Sequence, residues 1–192
     1  MTFHKLKRFF AGTVALAIVA GCTTTAGPQW PRFDLQGHRG ARGHAPENTM
    51  AAFNQALALG VSTLELDIGI SADAVPVIGH DPLLNPTITR DASGQWLQAP
   101  GPAVRSLTLA QLQAYDVGRI KPDTPYAKTF AQQQPRDGER MPTLAALFER
   151  VNATGAEHVR FNIDAKLSPA QPHATADPPT FVRALLAVAK AH

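Results

Sequence analysis

Residues 63–70, Thr-Leu-Glu-Leu-Asp-Ile-Gly-Ile, alternate strictly between apolar and polar or small side chains. The period of two in an extended chain puts Leu64, Leu66, Ile68 and Ile70 on one face and Glu65 with Asp67 on the other. The apolar face needs helices to cover it, and the two carboxylates aim into one common space. A second segment, 159–166, repeats the design: Phe161, Ile163 and Ala165 share one face, and Asn162, Asp164 and Lys166 share the other. Helical patterns separate the strands. A helix that carries the chain back between strands makes those strands parallel, so the class is α/β.

The remaining periodicity fills in this frame. A short apolar-biased strand over 33–36 runs into the glycine-rich turn Gly37-His38-Arg39-Gly40-Ala41-Arg42-Gly43. A helix follows over 48–59, capped by Asn48 or Thr49, with Phe53, Ala56 and Leu57 on one face and Gly60 at the position that favours glycine after a helix. The Val- and Ile-rich stretch 74–80 pairs with strand 63–70 as a hairpin after Asp73. Over 82–141 the pattern weakens as Pro, Gly, Asn and Gln accumulate, with one helix at 107–115 capped by Thr108; this stretch reads as an insertion. Periodicity returns with a helix over 143–151, the strand 159–166, a proline-rich loop and an Ala/Leu helix from Thr180 onward. A doubly wound sheet and a barrel both fit this order. The residues outside the insertion supply about three units of roughly 30 residues, against ~250 for a closed eight-fold barrel.

Charge narrows the partners. Lys+Arg 18 against Asp+Glu 15 gives +3, but Lys5, Lys7 and Arg8 stand alone among the first residues, and the chain from Cys22 onward is neutral. A nucleic-acid-binding domain needs a basic stripe on its folded surface, and none is implied. The apolar run over 9–20 is shorter than the ~20 residues of a membrane-spanning helix and suits a secretory signal core. It ends in Val19-Ala20-Gly21-Cys22, which resembles the lipobox of bacterial lipoproteins. That resemblance implies a signal peptide over 1–21, a lipid on Cys22, the only cysteine, and a polar tether over 22–33 containing Pro28 and Pro31. With Thr23 after the cysteine, the expected address is the bacterial envelope, at the periplasmic face of the outer membrane.

Two carboxylates as close as Glu65 and Asp67 repel one another unless a cation answers them, and a hard divalent ion with oxygen ligands, Ca²⁺ or Mg²⁺, is the economical partner. A solvated strand face accounts for the pair taken alone. Asp164 adds a third carboxylate, and Lys166 a cation suited to an anionic ligand. His38 and His80 each end a strand-like run, and Arg39 beside His38 has the fork that grips phosphate. The arrangement suits an acid and base pair around an anion. His4, His44, His158, His173 and His192 fall in the leader, in loops or at the chain end and read as structural or solvated.

Taken in order, His38-Arg39-Gly40, Pro46-Glu47-Asn48-Thr49, Ala52-Phe53, Gly60, Glu65-Leu66-Asp67, Asp73, Val77 and His80-Asp81 resemble the glycerophosphodiester phosphodiesterase family. The resemblance implies a (β/α)8 TIM-type barrel with a small domain inserted after strand 2, of which about the first three βα units are expected in this chain, over 34–192. It implies hydrolysis of glycerophosphodiesters, with one divalent cation, to glycerol 3-phosphate and an alcohol. Carried over residue by residue, His38 and His80 become the acid/base pair and Arg39 a phosphate ligand. Glu65 and Asp67 become metal ligands, and Glu47 supports the site. The third-strand motif departs from the family pattern: Asn162-Ile163-Asp164-Ala165-Lys166 has Asp where the family has Glu, so the third metal ligand is one methylene shorter. Two other readings differ in substrate or in class: a related barrel enzyme that cleaves phospholipid headgroups, and a lipoprotein whose site is idle.

Overall fold

The structure, a computed structural model, describes residues 33–98 and 101–192. The signal segment, Cys22 and the tether up to residue 32 lie outside the described residues. Four strands form one sheet: β1 (Gln36–Gly37), β2 (Thr63–Ile70), β3 (Pro76–Ile78) and β4 (Arg160–Ala165). β2 is the central strand. β4 runs parallel along one edge of it, from Thr63 opposite Arg160 to Ile68 opposite Ala165. The other edge is shared by β1, parallel at Thr63 and Leu64, and by β3, antiparallel at Ile68 to Ile70. Three parallel strands therefore stand side by side in chain order.

β1 is shorter and later than the expected strand over 33–36. Phe33 is 78% exposed and Leu35 58% exposed. The backbone N–H of Leu35 donates to the Ser62 hydroxyl and its carbonyl accepts from Ser62 and Thr63, so local side-chain bonding replaces a regular ladder. β3 is likewise trimmed, because Ala74 turns with φ +61° and Gly79 donates to the Asp67 carbonyl just beyond the strand.

Among the described residues, five α-helices accompany the sheet: α1 (Met50–Ala58), α2 (Leu109–Leu112), α3 (Pro125–Thr129), α4 (Leu144–Ala153) and α5 (Pro178–Ala191). The cap of α1 is Thr49, whose hydroxyl accepts from Ala52 N, and not Asn48. Gly60, with φ +74°, ends α1 in the left-handed turn that only glycine adopts without strain, and the chain then enters β2. Leu64, Leu66, Ile68 and Ile70 pack in one cluster with Phe53 and Ala56 of α1, Leu144, Leu147 and Val151 of α4, and Phe181 of α5. Each of these fully buried Leu, Ile and Phe side chains contributes about 1.5–3 kcal/mol. The apolar stripe of β2 is thus sealed by helices, which leaves Glu65 and Asp67 facing away from that core.

The stretch 82–141 carries α2, α3 and a short 3-10 turn at Val104–Ser106, and its Leu84, Val104, Leu112 and Met141 form a second, smaller core with Val77 of β3. Among the described residues, no helix is long and apolar enough to cross a membrane.

Candidate active site

The chemistry-bearing residues gather where the parallel strands end, the place where α/β sheets expose loops for binding. β1 stops at Gly37, opposite Leu64, so the next residues of the chain fall beside the polar face of β2. Arg39 N donates to Glu65 Oε2 at 2.7 Å from a left-handed backbone, φ +52°. Gly40 follows with φ +76° and packs so tightly on α1 that an added Cβ would stand 2.7 Å from the backbone of Ala52. These two residues aim the Arg39 side chain inward. Its Nη1 donates to Glu47 Oε1 at 2.8 Å and its Nε lies 3.3 Å from Asp67 Oδ2.

Asp67 is the hub. It is 1% exposed; Asn48 Nδ2 donates to it at 2.8 Å, Lys166 Nζ lies 2.9 Å away, and Arg39 Nε, which makes no hydrogen bond, adds a positive charge at 3.3 Å. Burial alone would raise its carboxyl, but these hydrogen bonds and charges outweigh burial and hold it below the ordinary aspartate range. In the register of β2 and β4, Asp67 sits directly opposite Asp164. Lys166, just past the end of β4, bridges the two through a second contact of 2.6 Å to Asp164 Oδ2. Burial pulls the ammonium down, yet the two carboxylates raise it above the usual lysine range. Asp164 itself has a half-exposed side chain.

Glu47 is buried, and its carboxyl is pushed up by that burial against the opposing charge of Arg39. Its second oxygen, Oε2, accepts from the Tyr126 hydroxyl on α3. His38 Nε2 stands 3.7 Å from Glu65 Oε2, with half its side chain exposed. Partial burial, reinforced by Arg42 and Arg39, outweighs Glu65 and Asp67 and lowers the imidazole below its ordinary range. His80 sits beyond β3 with Nδ1 at 2.7 Å from Asp81 Oδ1, and Asn85 Nδ2 in turn donates to Asp81 Oδ2.

Two cavities flank this network. One is lined by Glu47, Asn48, His80, Asp81 and Asn85 among others, so His80 is brought beside the Arg39 support. His38 lines a separate open groove with Gly37, Gly40, Arg42 and His44. The two histidines therefore line different cavities. Among the described residues, no group of three or more His, Cys, Asp or Glu side chains stands close enough to hold a metal ion. The donor set nevertheless suits a hard cation, because Asp67 and Asp164 already converge on one shared positive charge, the Lys166 ammonium.

Three participants escaped the sequence reading. Asn48 reads as a cap, although an asparagine beside an equally good capping threonine signals a left-handed residue, and its φ is +55°. Asp81 reads only as a neighbour of His80. Tyr126 has no sequence signal, because it arrives from the inserted stretch 79 positions away from Glu47.

Comparison with known proteins matches residues 38–190 to the model of the glycerophosphoryl diester phosphodiesterase family. The chain belongs to this family. A glycerophosphodiester phosphodiesterase of Caldanaerobacter subterraneus is 34% identical over 129 residues, 67% of this chain and 43% of its own length. A Silicibacter pomeroyi protein, provisionally named a glycerophosphoryl diester phosphodiesterase, has a crystal structure that superposes with a TM-score of 0.75 at 36% identity, over 81% of this chain and 52% of its own. A phosphodiesterase of Oleispira antarctica, solved in complex with the product sn-glycerol-3-phosphate, matches with a TM-score of 0.55 at 28% identity, over 82% of this chain and 51% of its own. The family chain described here thus spans about half the length of these solved relatives.

Proposed function

We infer that this chain carries the phosphate-handling site of a glycerophosphodiester hydrolase, which splits its substrate into sn-glycerol 3-phosphate and an alcohol. The observation that carries the reading is the Arg39 guanidinium, held by Glu47 and Asp67 at the ends of parallel strands with the Lys166 ammonium on the other side of Asp67. Among the described residues the guanidinium makes one hydrogen bond, from Nη1 to Glu47 Oε1, and its Nε has no hydrogen-bond partner, so the fork is not saturated by the protein. The product complex of the Oleispira relative supports the same substrate class for this chain. The three parallel strands suit consecutive staves of a (β/α)8 wall, with 82–141 as the insertion after its second strand.

In the reaction, a phosphodiester resists attack because charge must build on oxygens that are already negative. Arg39 and Lys166 lower that cost by lying near the phosphate before reaction begins. His38, kept neutral at pH 7 by its surroundings, is suited to accept a proton from the attacking oxygen. His80, with Nδ1 directed to Asp81, has Nε2 for the other transfer, protonation of the leaving alkoxide. Of the carboxylates Glu65, Asp67 and Asp164, which do not gather as a set of three in this structure, Asp67 and Asp164 converge, and a Ca²⁺ or Mg²⁺ held there would supply further neutralisation of the phosphoryl oxygens. A lipid on Cys22 would tether this site to the envelope, within reach of diesters released from phospholipids. Radiolabelled palmitate should then enter the wild-type chain and not Cys22→Ala.

The test is release of glycerol 3-phosphate from glycerophosphocholine by the full chain, with Ca²⁺ or Mg²⁺ and then with excess EDTA. Release that depends on the ion and is abolished in Arg39→Ala supports the reading. Unchanged release in EDTA removes the metal, and diacylglycerol or a cyclic phosphate as product from phospholipid moves the substrate to intact headgroups.

A further inference from the structure

The stretch 125–134 lies across the loop that carries His38, Arg39 and Glu47, and its contacts are specific. Gln133 Nε2 donates to the Arg42 carbonyl at 2.7 Å, and Gln134 N donates to the His44 carbonyl at 2.9 Å. The Arg42 guanidinium stacks over Phe130, 4.9 Å from the ring centre, and Phe130 in turn meets Tyr126 edge to face. Tyr126 is braced by this ring contact and reaches the site through one atom, its hydroxyl, which donates to Glu47 Oε2.

We propose that Tyr126 is a positioning residue for Arg39, acting through Glu47. Glu47 has two oxygens with two tasks: Oε2 accepts from Tyr126, and Oε1 holds Arg39 Nη1 at 2.8 Å. A buried carboxylate with one oxygen pinned cannot rotate about its terminal bond. The direction of its other oxygen, and with it the plane of the guanidinium, is set by the tyrosine. The other restraint on that plane is Asp67 near Nε, at a longer 3.3 Å. Loss of the hydroxyl therefore leaves Arg39 tied by one loose contact and one rotating carboxylate. The inserted stretch, remote in sequence, thereby sets how the phosphate ligand is presented. The proposal rests on the reading of Arg39 as that ligand, but the relay itself can be observed without substrate.

The experiment uses the full chain and Tyr126→Phe, which removes one oxygen and keeps the ring against Phe130. Two quantities are read: hydrogen exchange of the Arg39 Nε–H resonance by NMR, and affinity for sn-glycerol 3-phosphate by calorimetry. Tyr126→Phe should speed the exchange and weaken binding, each by about tenfold, the loss of one hydrogen bond to a charged group. In a Glu47→Gln background the same substitution should have little further effect, because the relay is already cut. Gln133→Ala, which removes one tie between the stretch 125–134 and the Arg42 loop without touching Glu47, should match wild type in both readouts. Full additivity with Glu47→Gln, or an equal effect from Gln133→Ala, overturns the relay and leaves Tyr126 as packing. Binding of glycerol 3-phosphate by wild type with no change in either readout for Tyr126→Phe also overturns it. Exchange that responds as expected in a wild-type chain that does not bind glycerol 3-phosphate sinks the proposed function while the relay stands.

Discussion

Asn48 and Asp67 meet through one hydrogen bond, Nδ2 to Oδ2 at 2.8 Å, made from a left-handed backbone at the asparagine. Backbone and side chain act together here, since asparagine tolerates that conformation better than other branched or bulky residues. Asn48→Ala should lose about 1.5–3 kcal/mol from the charged hydrogen bond and about 1–2 kcal/mol more from the backbone. Asn48→Gly should lose only the first. Urea denaturation of both variants checks the split, and equal losses would show that the backbone carries no strain.

Gly40 has no room for a side chain. With φ +76° and Ala52 backbone atoms 2.7 and 2.9 Å from the position of a Cβ, Gly40→Ala should cost more than about 3 kcal/mol. Adding Ala52→Gly should restore little, because the clash is with the Ala52 backbone as well as its methyl. Thermal melts of the single and double variants measure this.

Lys166 keeps Asp67 and Asp164 compatible across β2 and β4. Lys166→Met should destabilise the chain by about 1–3 kcal/mol at neutral pH, and less in acid, where the carboxylates protonate. Millimolar Ca²⁺ or Mg²⁺ should raise the melting temperature of this variant more than that of wild type, since an ion then takes the place of the lost ammonium. Equal shifts in the two proteins would argue that the aspartate pair does not accept the ion.

The pH dependence of stability has a definite sign at each group. Asp67 is held below its ordinary range, so its contribution is present above about pH 4 and fades as pH falls through the depressed value. Lys166 is raised, so its contribution persists in neutral solution and fades above about pH 10.5. Glu47 acts in the opposite sense to Asp67: its raised carboxyl makes stability decline as pH climbs from the ordinary glutamate range to the raised value. Chemical denaturation across a pH series should therefore show that Asp67→Asn is less stable than wild type near neutrality, with a flatter acid limb.

The elements that were legible in the sequence are those whose cause is local. Alternation from Thr63 to Ile70 dictates which residues face the helices, and capping threonines with a glycine at position 60 bound the helix before it. The facing of Asp67 and Asp164 was also legible, because two strands of period two paired in parallel must bring like faces together. The first strand begins later than its apolar residues imply, because Ser62 side-chain bonds, not the apolar character of Phe33 and Leu35, decide where its ladder begins.

By itself, the order of amino acids determined the parallel α/β class and the residue types that can meet an anion and a cation, since both depend on periodicity within a few residues. Only the tertiary structure decided how those groups are held. Tyr126 reaches Glu47 across 79 positions, Lys166 spans two aspartates, and Asn48 turns left-handed to reach Asp67. Such contacts join segments far apart in the chain, and their geometry is set by the packing of whole elements, which no local pattern encodes.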